Sequence, residues 1–165
     1  TYDFYIRSNC GTNGNSDWLG PLLLTTNAGP PPANDVCSGA TLIVQDTGKD
    51  VNSATTRVGT LLNTAGTDVA PENCDSGAID NARDDVWYTF VAQTTDINIT
   101  LTPMFNGILT LLSDCDPSAI LDCSDIGTGN TTEQISYNGL SIGNIYYFRV
   151  YYQGFTIYWI VKGFF

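Results

Sequence analysis

Gly139-Leu140-Ser141-Ile142-Gly143-Asn144-Ile145-Tyr146-Tyr147-Phe148-Arg149-Val150 is the stretch on which the reading of the fold turns. Its first five residues match the G-x-S-x-G pattern of a nucleophile elbow, which requires a partner His and a helix after the turn. The chain contains no His, and a strand-like aromatic run follows instead of a helix. The same residues have a structural explanation. Leu140, Gly143 and Tyr146 make an L-x-x-G-x-x-Y pattern entering a strand, the tyrosine-corner signature in which a phenol hydroxyl ties down the loop of an antiparallel sandwich. The expected fold is therefore all-β, an antiparallel two-sheet sandwich of jelly-roll type.

Working outward, strand signals are dense and helical periodicity is absent. Strands are expected at Thr41–Gln45, Thr56–Leu62, Asp85–Gln93, Ile97–Thr102, Gly107–Leu112, Gln134–Tyr137, Ile145–Tyr152 and Phe155–Val161, with turn residues between them. Gly48–Thr55 and Thr64–Arg83 read as long loops rich in Asp, Gly, Ser and Asn. Ahead of these, Tyr2–Ser8 and Trp18–Thr26 flank the turn Gly11-Thr12-Asn13-Gly14-Asn15 and form a β-hairpin. Between hairpin and sandwich runs Asn27-Ala28-Gly29-Pro30-Pro31-Pro32-Ala33-Asn34-Asp35, whose Pro triplet makes a stiff extended linker. Three segments follow: a hairpin over 1–27, a linker over 28–35 and a sandwich over 36–165. The abrupt start in a strand-like run is expected of a piece excised from something longer.

Six basic residues stand against 17 acidic ones, a net charge of -11. That balance excludes nucleic acid, which needs Lys and Arg against its phosphates, and disfavours anionic membrane surfaces. No apolar run approaches the length of a spanning helix. Without His, neither a Ser-His-Asp nor a Cys-His catalytic arrangement can be built. Charged residues are only 14%, so Thr, Asn, Ser and Gly supply the polar surface, as in many extracellular β proteins.

The five cysteines, Cys10, Cys37, Cys74, Cys115 and Cys123, are widely spaced without a CxxC pair, which fits an oxidising compartment. Cys115 and Cys123 bracket a short loop and are expected to pair, leaving Cys37 with Cys74 by elimination. Cys10 is left over, its partner lying outside this sequence or in another chain, unless it is a buried free thiol. Two acidic groups, Asp75, Asp80, Asp84, Asp85 and Asp114, Asp116, Asp122, Asp125, suit a hard ion such as Ca²⁺; the alternatives are a glycosidase pair or solvated turn Asp. Trp18, Trp87 and Trp159 are candidates for stacking on sugar rings, with Trp87 the best placed for the core. Asn98-Ile99-Thr100 and Asn130-Thr131-Thr132 fit the glycosylation sequon.

Tyr2-Asp3-Phe4-Tyr5-Ile6-Arg7-Ser8-Asn9-Cys10-Gly11 with Ser16-Asp17-Trp18-Leu19-Gly20-Pro21 and Thr25-Thr26 resembles the last two strands of a fibronectin type III domain, in the version found in large surface proteins exported by type IX secretion. Pro32-Ala33-Asn34-Asp35-Val36-Cys37, Asp85-Val86-Trp87-Tyr88-Thr89-Phe90 and Asn106-Gly107-Ile108-Leu109-Thr110-Leu111 with Cys115 and Cys123, closing with Leu140 to Val150, are similar to jelly-roll repeats of the same proteins, related to the bacterial pre-peptidase C-terminal domain. This second likeness covers roughly residues 32–161. It implies a scaffold used in adhesins, in gliding-associated filaments and as an appendage of secreted hydrolases. The expectation is a non-enzymatic structural or adhesive module at the cell surface. It would associate with identical subunits or neighbouring repeats through Tyr2, Phe4, Tyr5, Tyr158, Trp159, Phe164 and Phe165. The alternative is a glycan- or calcium-binding accessory domain.

Overall fold

Strand-forming residues cluster as the sequence suggests, and the computed structural model is all-β. It describes residues 2–24, 29–48, 53–54, 56–64, 74, 84–116, 118–127 and 129–152. The chain divides into two compact units, Thr1–Pro30 and Pro31–Phe165.

The first unit is a hairpin of β1 (Tyr2–Ile6) and β2 (Leu19–Leu24). Phe4 lies opposite Leu22 and Ile6 opposite Leu19, so a bulge sets Gly20 and Pro21 against Tyr5. Gly20 is required there: a Cβ would meet the Phe4 carbonyl at 2.7 Å and the Tyr5 ring at 2.8 Å.

The second unit is a sandwich. One sheet holds β3 (Thr41–Leu42), β4 (Asp85–Val91), β9 (Ile145–Tyr152), β6 (Gly107–Leu112) and β7 (Ile120–Ser124), in that order; the other pairs β5 (Asp96–Leu101) with β8 (Glu133–Asn138). All pairings are antiparallel except β3 with β4, which is parallel. Alternation assigns the faces. Val86, Phe90, Leu109, Leu111, Tyr146 and Val150 point inward from the large sheet and meet Ile135 and Leu140, with Ile97, Ile99 and Leu101 at the margin. β5 and β8 alternate buried and solvated positions as half-solvated strands should, the inward ones apolar except Glu133, and Ser136 donates to Asn98 Oδ1 across them at 2.7 Å. β6 is buried along its whole length, which explains an apolar run broken only by Thr110.

Three expectations need revision. Thr56–Leu62 forms no strand: the Thr60 hydroxyl accepts from Leu62 N–H and the Thr64 hydroxyl donates to the Leu61 carbonyl. These local bonds compete with a ladder. β7 was not anticipated, because Asp122 and Cys123 interrupt its short apolar run. Cys115 and Cys123 do not pair. Cys37 bonds Cys115 and Cys74 bonds Cys123. The reason lies in β7. Ile120 pairs with Leu112 and Cys123 with Thr110, so Cys123 sits about 10 Å down the strand from the turn that holds Cys115. That exceeds the roughly 7 Å between Cα atoms that a disulfide spans. Phe155–Val161 lies outside the described residues.

Candidate functional site

The tyrosine corner forms. Leu140 is buried, Gly143 takes φ 89°, and the Ser141 N–H donates to the Tyr146 hydroxyl at 2.9 Å. The residues of the G-x-S-x-G match are thus spent on anchoring a loop.

The outer face of the large sheet carries a buried charged cluster that sequence reasoning did not foresee. In register, Asp85 neighbours Tyr151, Trp87 neighbours Arg149, and Arg149 neighbours Thr110. All five are essentially inaccessible to solvent. Arg149 Nε lies 3.1 Å from Asp85 Oδ2, which also accepts from Trp87 Nε1 at 3.0 Å. The guanidinium sits 4.5 Å from the Tyr151 ring centroid and 5.3 Å from that of Trp87. A buried charge is tolerated only when it is paired and hydrogen-bonded, and the aromatic faces add cation–π attraction. Cys74, tied to β7 by its disulfide, packs on Ile108 and Tyr151 beside this cluster.

This placement bears on the acidic candidates. Asp85 bonds Arg149 and Trp87 and is fully buried on the outer face of the sheet. Asp84 is half-buried beside it, and Asp75 and Asp80 lie outside the described residues. In the second group, Asp116 Oδ1 accepts from the Ser118 N–H and hydroxyl, bonds that hold its carboxyl below the usual range. Asp114 and Asp122 each accept from the next backbone N–H, of Cys115 and Cys123. Among the described residues, no three His, Cys, Asp or Glu side chains gather as a cation site. Glu133 is buried and accepts from the Ser124 hydroxyl at 2.6 Å and from Ile126 N–H at 2.8 Å, closing the loop between β7 and β8.

Of the aromatic candidates, Trp87 is in the cluster just described and Trp159 is outside the described residues. Trp18 is exposed, with the Arg7 guanidinium 4.5 Å from its ring centroid. Both sequon asparagines, Asn98 and Asn130, are exposed.

The hairpin is the most unusual surface. Phe4, Ile6, Leu19 and Leu22 lie on one face, and Tyr5 and Leu23 on the other. Together with Trp18 they are 48 to 69% exposed. Cys10, in the connection between the strands, is a free and exposed thiol. Of the expected assembly residues, Phe4 and Tyr5 are therefore presented to solvent. Tyr2 belongs to β1. Tyr158, Trp159, Phe164 and Phe165 lie outside the described residues.

No described helix is long and apolar enough to cross a membrane. Comparison with curated proteins and with solved structures finds no match. A family model described as galactose binding domain-like, and associated with type IX secretion, matches residues 33–157. The match spans most of the chain and all of the sandwich strands, β3 to β9. It agrees with the expected link to type IX export and describes the scaffold as galactose-binding-like. The chain belongs to the galactose binding domain-like family associated with type IX secretion.

Proposed function

We propose that this chain is a non-catalytic extracellular module that joins identical copies or neighbouring repeats of a surface assembly through its N-terminal hairpin. The observation that carries the reading is the exposure of apolar side chains on both faces of β1–β2. A two-stranded hairpin is at best marginally stable in water. One that is apolar on both sides gains stability by entering a sheet or a sandwich that covers it, and strand addition is a recognised route of assembly. The family's association with type IX secretion supports an extracellular location. The absence of His from the sequence and the internal use of Asp85, Arg149 and Glu133 favour a scaffold over a catalyst. Sedimentation velocity across a concentration series tests this. Self-association should rise with concentration and be lost in Leu23→Lys; a wild-type chain that stays monomeric throughout refutes it.

A second reading, an accessory domain for neutral glycans or calcium, is favoured by the family's galactose-binding-like description and by the exposed Trp18 ring. A glycan array with and without chelator tests it. Binding that is lost in Trp18→Ala supports it, and an empty array with unchanged melting in chelator removes it.

A further inference from the structure

The outer face of the large sheet has two unlike ends. At one end lie the buried Asp85, Trp87, Arg149 and Tyr151. At the other, the register places Val91 directly opposite Ile145 and Thr89 between Leu42 and Tyr147. Side chains of registered neighbours share a face, so Leu42, Val91 and Ile145 lie on the same side of three adjacent strands. Ile43 N–H donates to the Thr89 carbonyl at 2.8 Å and Gln93 N–H to Gln45 Oε1 at 2.8 Å, so the chain after β3 stays beside the end of β4 and brings Val44 toward Val91. These four aliphatic side chains are 43 to 64% exposed. Scattered exposed apolar residues need no explanation, but a contiguous set on one sheet face marks an interaction surface.

The charge distribution narrows what can sit there. Residues 1–30 hold one basic and two acidic residues, whereas residues 31–165 hold five and fifteen. Two sandwiches meeting face to face would bring two strongly acidic bodies together, at a cost. Among the described residues, the hairpin combines near-neutrality with openly exposed apolar side chains. A hairpin face packs on a sheet at the usual spacing of about 10 Å, with side chains interleaved.

Resting on the assembly reading above, we propose that the apolar end of this face, Leu42, Val44, Val91 and Ile145, is the docking site for the β1–β2 hairpin of a second copy of the chain. The contact is head-to-tail, since the surface that gives differs from the surface that receives. Such contacts propagate into open chains unless the geometry closes a ring.

The test is complementation by sedimentation velocity on the full chain, with Cys10→Ser throughout to exclude disulfide coupling. One variant, Tyr5→Ser with Leu23→Lys, disables the hairpin; the other, Leu42→Lys with Val44→Lys, disables the face. The face substitutions lie at exposed positions outside the β4–β9 ladder, and circular dichroism checks that both variants fold. Each variant alone should self-associate at least tenfold more weakly than the parent. An equimolar mixture should form a one-to-one complex, because one working hairpin meets one working face. A face variant that assembles like the parent overturns this docking site and leaves the hairpin reading intact. A mixture that stays monomeric also overturns it. A hairpin variant that still assembles removes the hairpin reading itself.

Discussion

Replacing Arg149 with Met keeps most of the side chain's apolar bulk but removes the charge that faces Asp85. The separation of 3.1 Å corresponds to an attraction of about 5 kcal/mol at an effective dielectric of about 20. Desolvating the two ions offsets much of this in the intact pair. In Arg149→Met the carboxylate remains in the sheet without its guanidinium, and removing one partner of a buried pair costs roughly 3–5 kcal/mol. The lost cation–π contacts with Trp87 and Tyr151 act in the same direction. Adding Asp85→Asn removes the stranded charge and retains an acceptor for Trp87 Nε1. The double variant should therefore recover about 2 kcal/mol or more, a coupling at the upper end for contacting residues. Urea unfolding of the oxidised chain measures both. For Arg149→Met, Tm should fall by on the order of 10 °C. A loss below about 1 kcal/mol, or additive single and double variants, would refute the view that this pair is a tightly coupled part of the sheet.

Three further outcomes are expected. Proteolysis under non-reducing conditions should yield peptides joining Cys37 to Cys115 and Cys74 to Cys123, with Cys10 alone alkylated; removing the second bridge, which closes a separation of 49 residues, should cost about 4 kcal/mol. Tyr146→Phe removes the acceptor for the Ser141 N–H and should cost about 1 kcal/mol by denaturant unfolding, toward the low side because Ser141 is exposed to water that can replace it. Tyr88 has its phenol raised by burial, with the Asn34 hydrogen bond opposing; below its ordinary value near 10 it leaves stability flat, and as pH rises past that value the unfolded chain ionises first, so stability falls. Tyr88→Phe should flatten that alkaline limb in a melting series.

Where local pattern decides, the sequence was sufficient. Gly107–Leu112 and Ile145–Tyr152 coincide with β6 and β9, because an unbroken apolar run and a tyrosine corner each specify a strand without outside help. Asp122 and Cys123 give β7 the composition of a loop, and with that strand concealed Cys115 and Cys123 resemble the two ends of one short turn. Thr56–Leu62 has strand composition, but local threonine bonds engage its backbone. The Asp85–Arg149 cluster was out of reach for a different reason. The two residues are 64 apart in sequence, and only the antiparallel register of β4 on β9 brings them onto one face. Asp85 therefore read as a loop acid available to a cation. The apolar end of that face was illegible for the same reason, since Leu42, Val91 and Ile145 come from three distant segments.

The most direct measurement is amide hydrogen exchange of Tyr2–Leu24 in the full chain, followed from dilute to concentrated solution. Protection in β1 and β2 should be weak when the chain is dilute and grow as copies meet, while β4, β6 and β9 stay protected throughout. Strong protection of the hairpin that does not change with concentration would contradict a hairpin that finds its cover on another molecule.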